Sequence, residues 1–451
     1  MSNVFKNGGM SDSKNSHSFF KKWKKIFAKG DLRRRIIFTL GMLFVFRLGA
    51  AITIPSINAD ALTGGATTEG IFGIMNMLGG GMLERFSIFS LGISPYITAS
   101  IIIELLSMDI IPILTEWKKD GKSSKNKIEM VTRYTTLVLA AIQGGSLTYA
   151  YDKGYNILNS SSIWTYIYVV VVMIAGSMLV MWIGDQITQK GIGNGTSLII
   201  FTGIVSNLPT SFINTFKNLV TFNEGTQTAV LGILWFVLFI IVYLAIVVFV
   251  VFNEGAERRI KIIYGSNSNT MMRTKDTTHM PLKINSSGVL PVIFAASVLA
   301  APRTIISFVE SNDITKMIDS LLNYQEPVGF CLYVVMIVLF AFFYSNLQID
   351  AHKISEDFNK NGGYISGVRK GPDTEKYIST VLNRVTVIGS IFLVIIAAIP
   401  IIAPIIWTQT SNASLTLGGT GLIIITGVAL KCSKDINEAI TFKDYHGIIR
   451  K

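Results

Sequence analysis

The feature that most constrains this chain is a succession of apolar runs, each about 20 residues long, the length an α-helix needs to cross a bilayer. They lie at 33–54, 86–107, 130–151, 162–183, 228–252, 285–308, 327–349, 381–402 and 415–432, with a weaker, shorter run at 192–211. Inside hydrocarbon every backbone amide and carbonyl must be satisfied within protein, so each run predicts a helix. The pattern therefore predicts an all-α membrane protein of about ten transmembrane helices. Charge agrees: only 15% of residues are charged, against roughly a quarter in soluble domains.

The net charge of +12 would suggest nucleic acid in a soluble protein, but its placement excludes that reading. With the N-terminus inside, segments 1–35, 108–133, 184–191, 253–284, 350–384 and 431–451 hold about 34 of the 40 Lys and Arg. Arg85, Lys153, Lys217, Arg303 and Lys316 fall to the outer loops. This is the positive-inside asymmetry, and an even number of spans puts both termini on the same, cytoplasmic, side. The basic N-terminal extension 1–32 contains FFKKWKKIF, which gathers Phe19, Trp23, Ile26 and Phe27 near one face, as in a helix lying on an anionic membrane surface. No small-residue cleavage site follows an early apolar region, so a cleaved signal peptide is not expected.

Residues 55–85 form the one long outer loop, and its apolar piece IFGIMNML is too short to span. A re-entrant segment is expected there, its backbone buried in protein or lining a cavity, with an interfacial helix as the alternative. The counts also suit a five-plus-five layout, since inner loops of similar charge follow the second and seventh spans. Inverted halves of this kind set a pathway at their interface.

Catalytic chemistry has no visible carrier. The histidines are His17, His279, His352 and His446, all in polar stretches, with no H-E-x-x-H and no G-x-S-x-G. Cys331 and Cys432 are far apart in or beside apolar runs and read as small buried hydrophobes, and no metal or cofactor is expected. The run GIGNG at 191–195 follows an apolar helix and lacks the Gly-Lys-Ser/Thr ending of a phosphate loop. It reads as a tight turn or hinge between two membrane segments.

Two ionisable residues interrupt apolar runs, Arg47 and Glu104, and such groups normally face a cavity or a partner, unless they snorkel to an interface. In the inner loops, Arg258–Arg259 and Arg369–Lys370 form basic pairs on turn-rich segments, suited to gripping an acidic partner.

Five stretches carry a resemblance to a known family: LGISPYITASIII at 91–103, MWIGDQITQKGIGNGTSLIIFTGIV at 181–205, HMPLKINSSGVLPVIFAAS at 279–297, NGGYISGVRKGPDTEKYI at 361–378 and LGGTGLIIITGVAL at 417–430. In order and loop context they resemble the SecY protein-conducting channel, from about Leu32 to near the C-terminus.

The resemblance implies two inverted five-helix halves around an hourglass pore, 33–211 and 212–432, with large cytoplasmic loops 253–284 and 350–380 and a tail at 433–451. It implies an apolar pore ring of Ile93, Ile97, Thr196, Ile200, Ile293 and Ile424, and a plug at about 69–81 that includes Ile71, Phe72, Ile74, Met75, Asn76 and Met77. Thr196 departs from the usual aliphatic residue, which implies either a leakier seal or a different contributor at that place. The lateral gate would lie between spans 2–3 and 7–8, with Glu104 on the gate helix and Asn285 as a polar partner. Arg258, Arg259, Arg369 and Lys370 would receive the SecA ATPase and the ribosome, and SecE-like and SecG-like membrane subunits would complete the complex.

The expected activity is then passage of unfolded secretory proteins across a bacterial plasma membrane and lateral release of membrane segments, with ATP consumed by the partner. Signal-bearing polypeptides and membrane lipid are the other partners. Two alternatives stay open: an accessory channel for specialised clients, and a secondary transporter with inverted repeats.

Overall fold

The computed structural model describes residues 30–58, 79–83, 85–108, 110–120, 123–155, 157–158, 162–220, 226–264, 278–306, 313–323, 326–360, 362–406 and 419–449. The N-terminal extension before residue 30 and the six plug candidates Ile71, Phe72, Ile74, Met75, Asn76 and Met77 lie outside these residues.

Ten principal helices follow the apolar runs. The first five are α1 (Gly30–Ala51), α2 (Ser94–Leu106), α4 (Lys125–Tyr155), α5 (Ile163–Lys190) and α6 (Gly195–Leu219), with a short α3 (Pro112–Lys119) between α2 and α4. The second five are α7 (Thr226–Gly255), α8 (Leu290–Ile306), α10 (Pro327–Gln348), α12 (Pro372–Ile406) and α13 (Gly419–Ile449). Two further short helices among the described residues are α9 (Asp313–Leu322) and α11 (Ala351–Lys360). Among the described residues five helical runs are long and apolar enough to cross a membrane on their own: α5, α6, α7, the run from α10 into α11, and α12. The remaining expected spans coincide with α1, α2, α4, α8 and α13.

Proline sets several helix starts, at Pro95, Pro112 and Pro327, because its missing N–H costs nothing in the first turn. Threonines inside the helices satisfy their own hydroxyls by donating one turn back, as Thr132 does to Ile128 O at 2.9 Å and Thr136 to Thr132 O at 2.7 Å. Such local bonds let polar side chains sit in apolar helices without an outside partner.

The second span is shorter than the apolar run 86–107 suggests. Residues 85–93 turn on themselves, with Ser87 N–H donating to Met82 O and Gly92 N–H to Phe89 O, before α2 begins. Phe86 and Phe89 are buried in this stretch, so its irregular backbone is shielded by protein.

Packing repeats across the chain. In the first half α2 packs on α4, α4 on α5, α5 on α6, and α1 on α6; in the second α8 packs on α10, α10 on α12, α12 on α13, and α7 on α13. The same neighbour relations therefore recur with an offset of five principal helices, and contact of α6 with α13 joins the two sets. Burial sorts the helices by depth: 56% of the apolar window of α12 is buried against 11% for α7. Lipid covers what protein does not, and Val230, Leu231, Leu234, Leu244 and Phe252 form the exposed apolar surface of α7.

Cys331 corrects the sequence reading, since it is exposed on α10 while Cys432 is half-buried. An apolar run in a membrane helix need not bury every residue, because lipid solvates apolar side chains as well as protein does.

The segments expected as turn-rich scaffolds instead build a three-stranded antiparallel sheet in the order β2-β1-β3, from β1 (Glu257–Tyr264), β2 (Thr278–Lys283) and β3 (Gly363–Ile365). In ERRIKIIY, Ile260 and Ile262 point inward and join Leu282, Ile365 and Ile378 in a small core of their own, while Arg259 and Ile263 face out. That period of two is a strand signal. Pro281 sits on the edge strand β2, opposite Arg259, where a missing donor is tolerated.

Candidate functional site

The turn between α5 and α6 is GIGNG. Gly191 N–H ends α5 by donating to Ile187 O at 2.7 Å, and Ile192 N–H donates to Thr39 Oγ1 of α1 at 3.1 Å. Gly195 N–H donates to Thr188 Oγ1 at 2.8 Å, and Asn194 caps α6 by accepting from Thr196 N–H at 3.0 Å. These four amides point into the fold, which leaves them no capacity for a phosphate. Gly193 takes φ +73°, and a Cβ on Gly195 would overlap the Gly184 carbonyl and come within 2.9 Å of Ile187 Cβ. Glycine is required here so that α6 can leave the turn pressed against α5.

From that start α6 carries isoleucines towards the centre. One apolar cluster collects Ile93 and Ile97 from the beginning of α2, Ile200 and Ile204 from α6, Ile293 from α8 and Ile424 from α13. Four helices, two from each set of five, thus converge on a single knot of β-branched side chains. Met82, Phe46 and Phe89 belong to the same cluster, and Phe46 stacks on Phe89 at 6.0 Å.

Thr196 stands apart chemically. It lies in the first turn of α6, where its Oγ1 donates to Asn194 Oδ1 at 2.5 Å, so its hydroxyl serves the cap. Ile204, one turn beyond Ile200, is an additional contributor from α6 that sequence reasoning missed. The spacing Ile200–Ile204 is the helical repeat that could have found it.

The polar gate candidates do not pair with each other. Glu104 of α2 accepts from Tyr344 Oη of α10 at 3.3 Å, a bond between the two sets of helices. Asn285, buried before α8, donates through Nδ2 to Glu254 Oε1 at the end of α7, at 2.6 Å. Sequence separation explains the miss, because Glu104 and Tyr344 are 240 positions apart. Tyr344 is 1% exposed and packs its ring on Phe294 of α8 at 4.6 Å, so the seam between α2 and α10 is lined by aromatics around one polar contact.

The basic pairs meet through the sheet. Arg258 and Arg259 lie on β1 and are exposed; Arg259 Nη2 is 2.9 Å from Glu257 Oε1. β3 pairs with the far end of β1, Ile365 opposite Ile262, and its antiparallel direction carries the following residues back towards the Arg258–Arg259 end. Arg369 and Lys370 are exposed in that following turn, where Thr374 Oγ1 donates to Arg369 O at 2.7 Å and Lys370 Nζ lies 5.6 Å from the Tyr364 ring centre. The sheet and the turn after β3 thus present two exposed basic pairs.

Comparison with known proteins gives the decision. The SecY family model matches residues 87–433, which includes the GIGNG turn, the converging isoleucines, the Glu104–Tyr344 contact and the sheet. The chain belongs to the SecY family.

Protein translocase subunit SecY of Bacillus subtilis (strain 168) is 40% identical over 436 residues, 96% of this chain and 100% of the relative. The SecY of Staphylococcus carnosus (strain TM300) is 37% identical over 433 residues, 95% of this chain and 99% of the relative. Among solved structures the fold resembles a protein conducting channel with TM-score 0.60 and 17% identity, covering 90% of this chain and 92% of that one. It also resembles a chain of the idle yeast Ssh1 complex bound to the yeast 80S ribosome, with TM-score 0.62 and 16% identity, covering 91% and 90%. The isoleucine cluster, the Glu104–Tyr344 seam and the basic platform are thus features of a SecY-family fold.

Proposed function

We propose that this chain forms the pore of a protein translocation channel in the plasma membrane of a bacterium, with both termini cytoplasmic. The observation that carries the reading is the convergence of Ile93, Ile97, Ile200, Ile293 and Ile424 from both sets of helices in one apolar cluster. A narrow ring of this kind excludes water and ions by dewetting and makes no directional bonds, so it can close around an extended polypeptide of any sequence. A small-solute transporter would instead need a polar, substrate-shaped site at that depth.

The halves in this reading are 33–211 and 212–432, with the lateral gate between α2–α4 and α8–α10. Glu104 and Tyr344 bridge it at rest, and a segment apolar enough to prefer lipid leaves through it. The platform of Arg258, Arg259, Arg369 and Lys370 takes the SecA motor or the ribosome, and acidic partner groups suit its charge. ATP is hydrolysed by the motor; this chain supplies no catalytic group. SecE-like and SecG-like subunits cover lipid-facing helices, among which α7 has the smallest buried share of the five long apolar runs.

The test is transport of a signal-bearing precursor into proteoliposomes holding this chain, a SecE partner, SecA and ATP. Protease-protected precursor that requires both ATP and the signal is the expected result. Absence of protection, with partner assembly and SecA binding intact, would overturn the reading.

A further inference from the structure

Asn207 lies one turn beyond Ile204 on α6, on the same face. Its carboxamide meets a backbone turn from outside the helix, and in the amide orientation that matches donors to acceptors Nδ2 donates to Gly80 O at 3.0 Å and Oδ1 accepts from Gly81 N–H at 2.9 Å. Arg47 Nη1 approaches the same Gly80 carbonyl at 3.4 Å. Two backbone groups that lie in no helix or strand thus find their partners in side chains of α6 and α1.

The turn is shaped for this contact. Gly80 and Gly81 take φ +71° and +79°, two left-handed residues in succession. A Cβ on Gly80 would come within 2.7 Å of Gly203 Cα, and one on Gly81 within 2.9 Å of the Asn207 carboxamide. Backbone therefore lies directly on backbone, with the carboxamide at its edge. The next residue, Met82, is 2% exposed and belongs to the apolar cluster of Ile93, Ile200, Ile204 and Ile424. Where the turn sits decides where Met82 sits.

We propose that Asn207 is a positioning residue, a latch that holds the Gly80–Gly81 turn on α6 and keeps Met82 in the resting waist. The latch lets go when a polypeptide occupies the pore. This rests on reading the waist as a protein-conducting pore. The coupling is physical: in a dry waist the two hydrogen bonds are strong and have no competitor, whereas water entering with a client competes for the same donor and acceptor. Two glycines give the released turn the freest backbone available.

The experiment uses the assembled channel in proteoliposomes, reading resting ion permeability and precursor protection in parallel. Asn207→Leu keeps the side-chain size but strands both glycine groups. It should raise resting permeability about tenfold, the population shift expected from losing two ordinary hydrogen bonds, with precursor transport retained. A second arm joins Gly81→Cys to Asn207→Cys in a chain whose Cys331 and Cys432 are replaced by serine. A Cβ on Gly81 lies 3.6 Å from Asn207 Cγ, where the new thiol would sit, which is near disulfide reach although a cysteine at position 81 must keep a left-handed φ. Oxidation should stop transport and reduction should restore it.

Wild-type vesicles that protect precursor, beside Asn207→Leu vesicles as ion-tight as wild type or an oxidised pair that still transports, would overturn the latch alone. Wild-type vesicles that never protect precursor would overturn the pore reading and the latch with it. If Asn207→Leu does not assemble, the disulfide arm decides.

Discussion

Arg369 and Tyr344 sit at opposite ends of what a single side chain can do here. Arg369 is exposed in the turn after β3, so Arg369→Glu should leave folding and membrane insertion intact while reversing charge at the proposed motor contact. Motor-driven transport is expected to fall by at least about tenfold, as for loss of one charge pair at an interface, and normal rates would remove the assignment. Tyr344→Phe acts inside the seam, where it deletes the bond to Glu104 and little else. An interhelical bond of this kind is worth about 1 kcal/mol, so less apolar signal segments should be accepted, read as a shifted threshold in a graded series of signal sequences. An unchanged threshold would mean that the bond does not restrain the gate. Glu104 was visible in the sequence as an ionisable group in an apolar run, and Asn285 was named through the family resemblance. Their partners were not, because Tyr344 and Glu254 are made neighbours only by helix packing.

At the scale of the element, the start of α6 offers the sharpest contrast. Asn194→Ala removes a cap at an exposed position and should cost about 1 kcal/mol. Gly195→Ala drives a methyl into Gly184 and Ile187 of α5 and should cost more, about 1–3 kcal/mol, with thermal unfolding in detergent as the measurement. The reverse order would mean that the turn is held by its hydrogen bonds rather than by close approach. This turn was legible in GIGNG, since glycine spacing and a capping Asn announce themselves locally. The sheet was not legible, although ERRIKIIY alternates, because so short a run with paired arginines fits a basic loop equally well and the partners of Ile260 and Ile262 are distant in sequence. Helix ends also ran past the apolar signal: α6 continues to Leu219 through Pro209, and α13 to Ile449. Hydropathy marks where a helix meets lipid, and the hydrogen-bonded backbone has no reason to stop there.

For the whole molecule, the placement of charge predicts that reporters fused to the N- and C-terminus read out on the same side, the side that carries Arg258 and Arg369. Reporters on opposite faces would break the ten-helix count. That count was the most legible property of the chain, because apolar length needs no knowledge of neighbours. The five-plus-five layout was expected from the loop counts and from the resemblance, whereas the particular helix faces that meet depend on packing. The proposed pore ring of Ile93, Ile97, Ile200, Ile293 and Ile424 is isoleucine throughout, and isoleucine on a helix has essentially one χ1 state. Such a ring cannot widen by side-chain flips on the nanosecond scale; it must wait for whole helices to shift, on the order of microseconds to milliseconds. Single-channel current records should therefore step between long-lived discrete levels, and fast continuous flicker would be the signature of a softer waist.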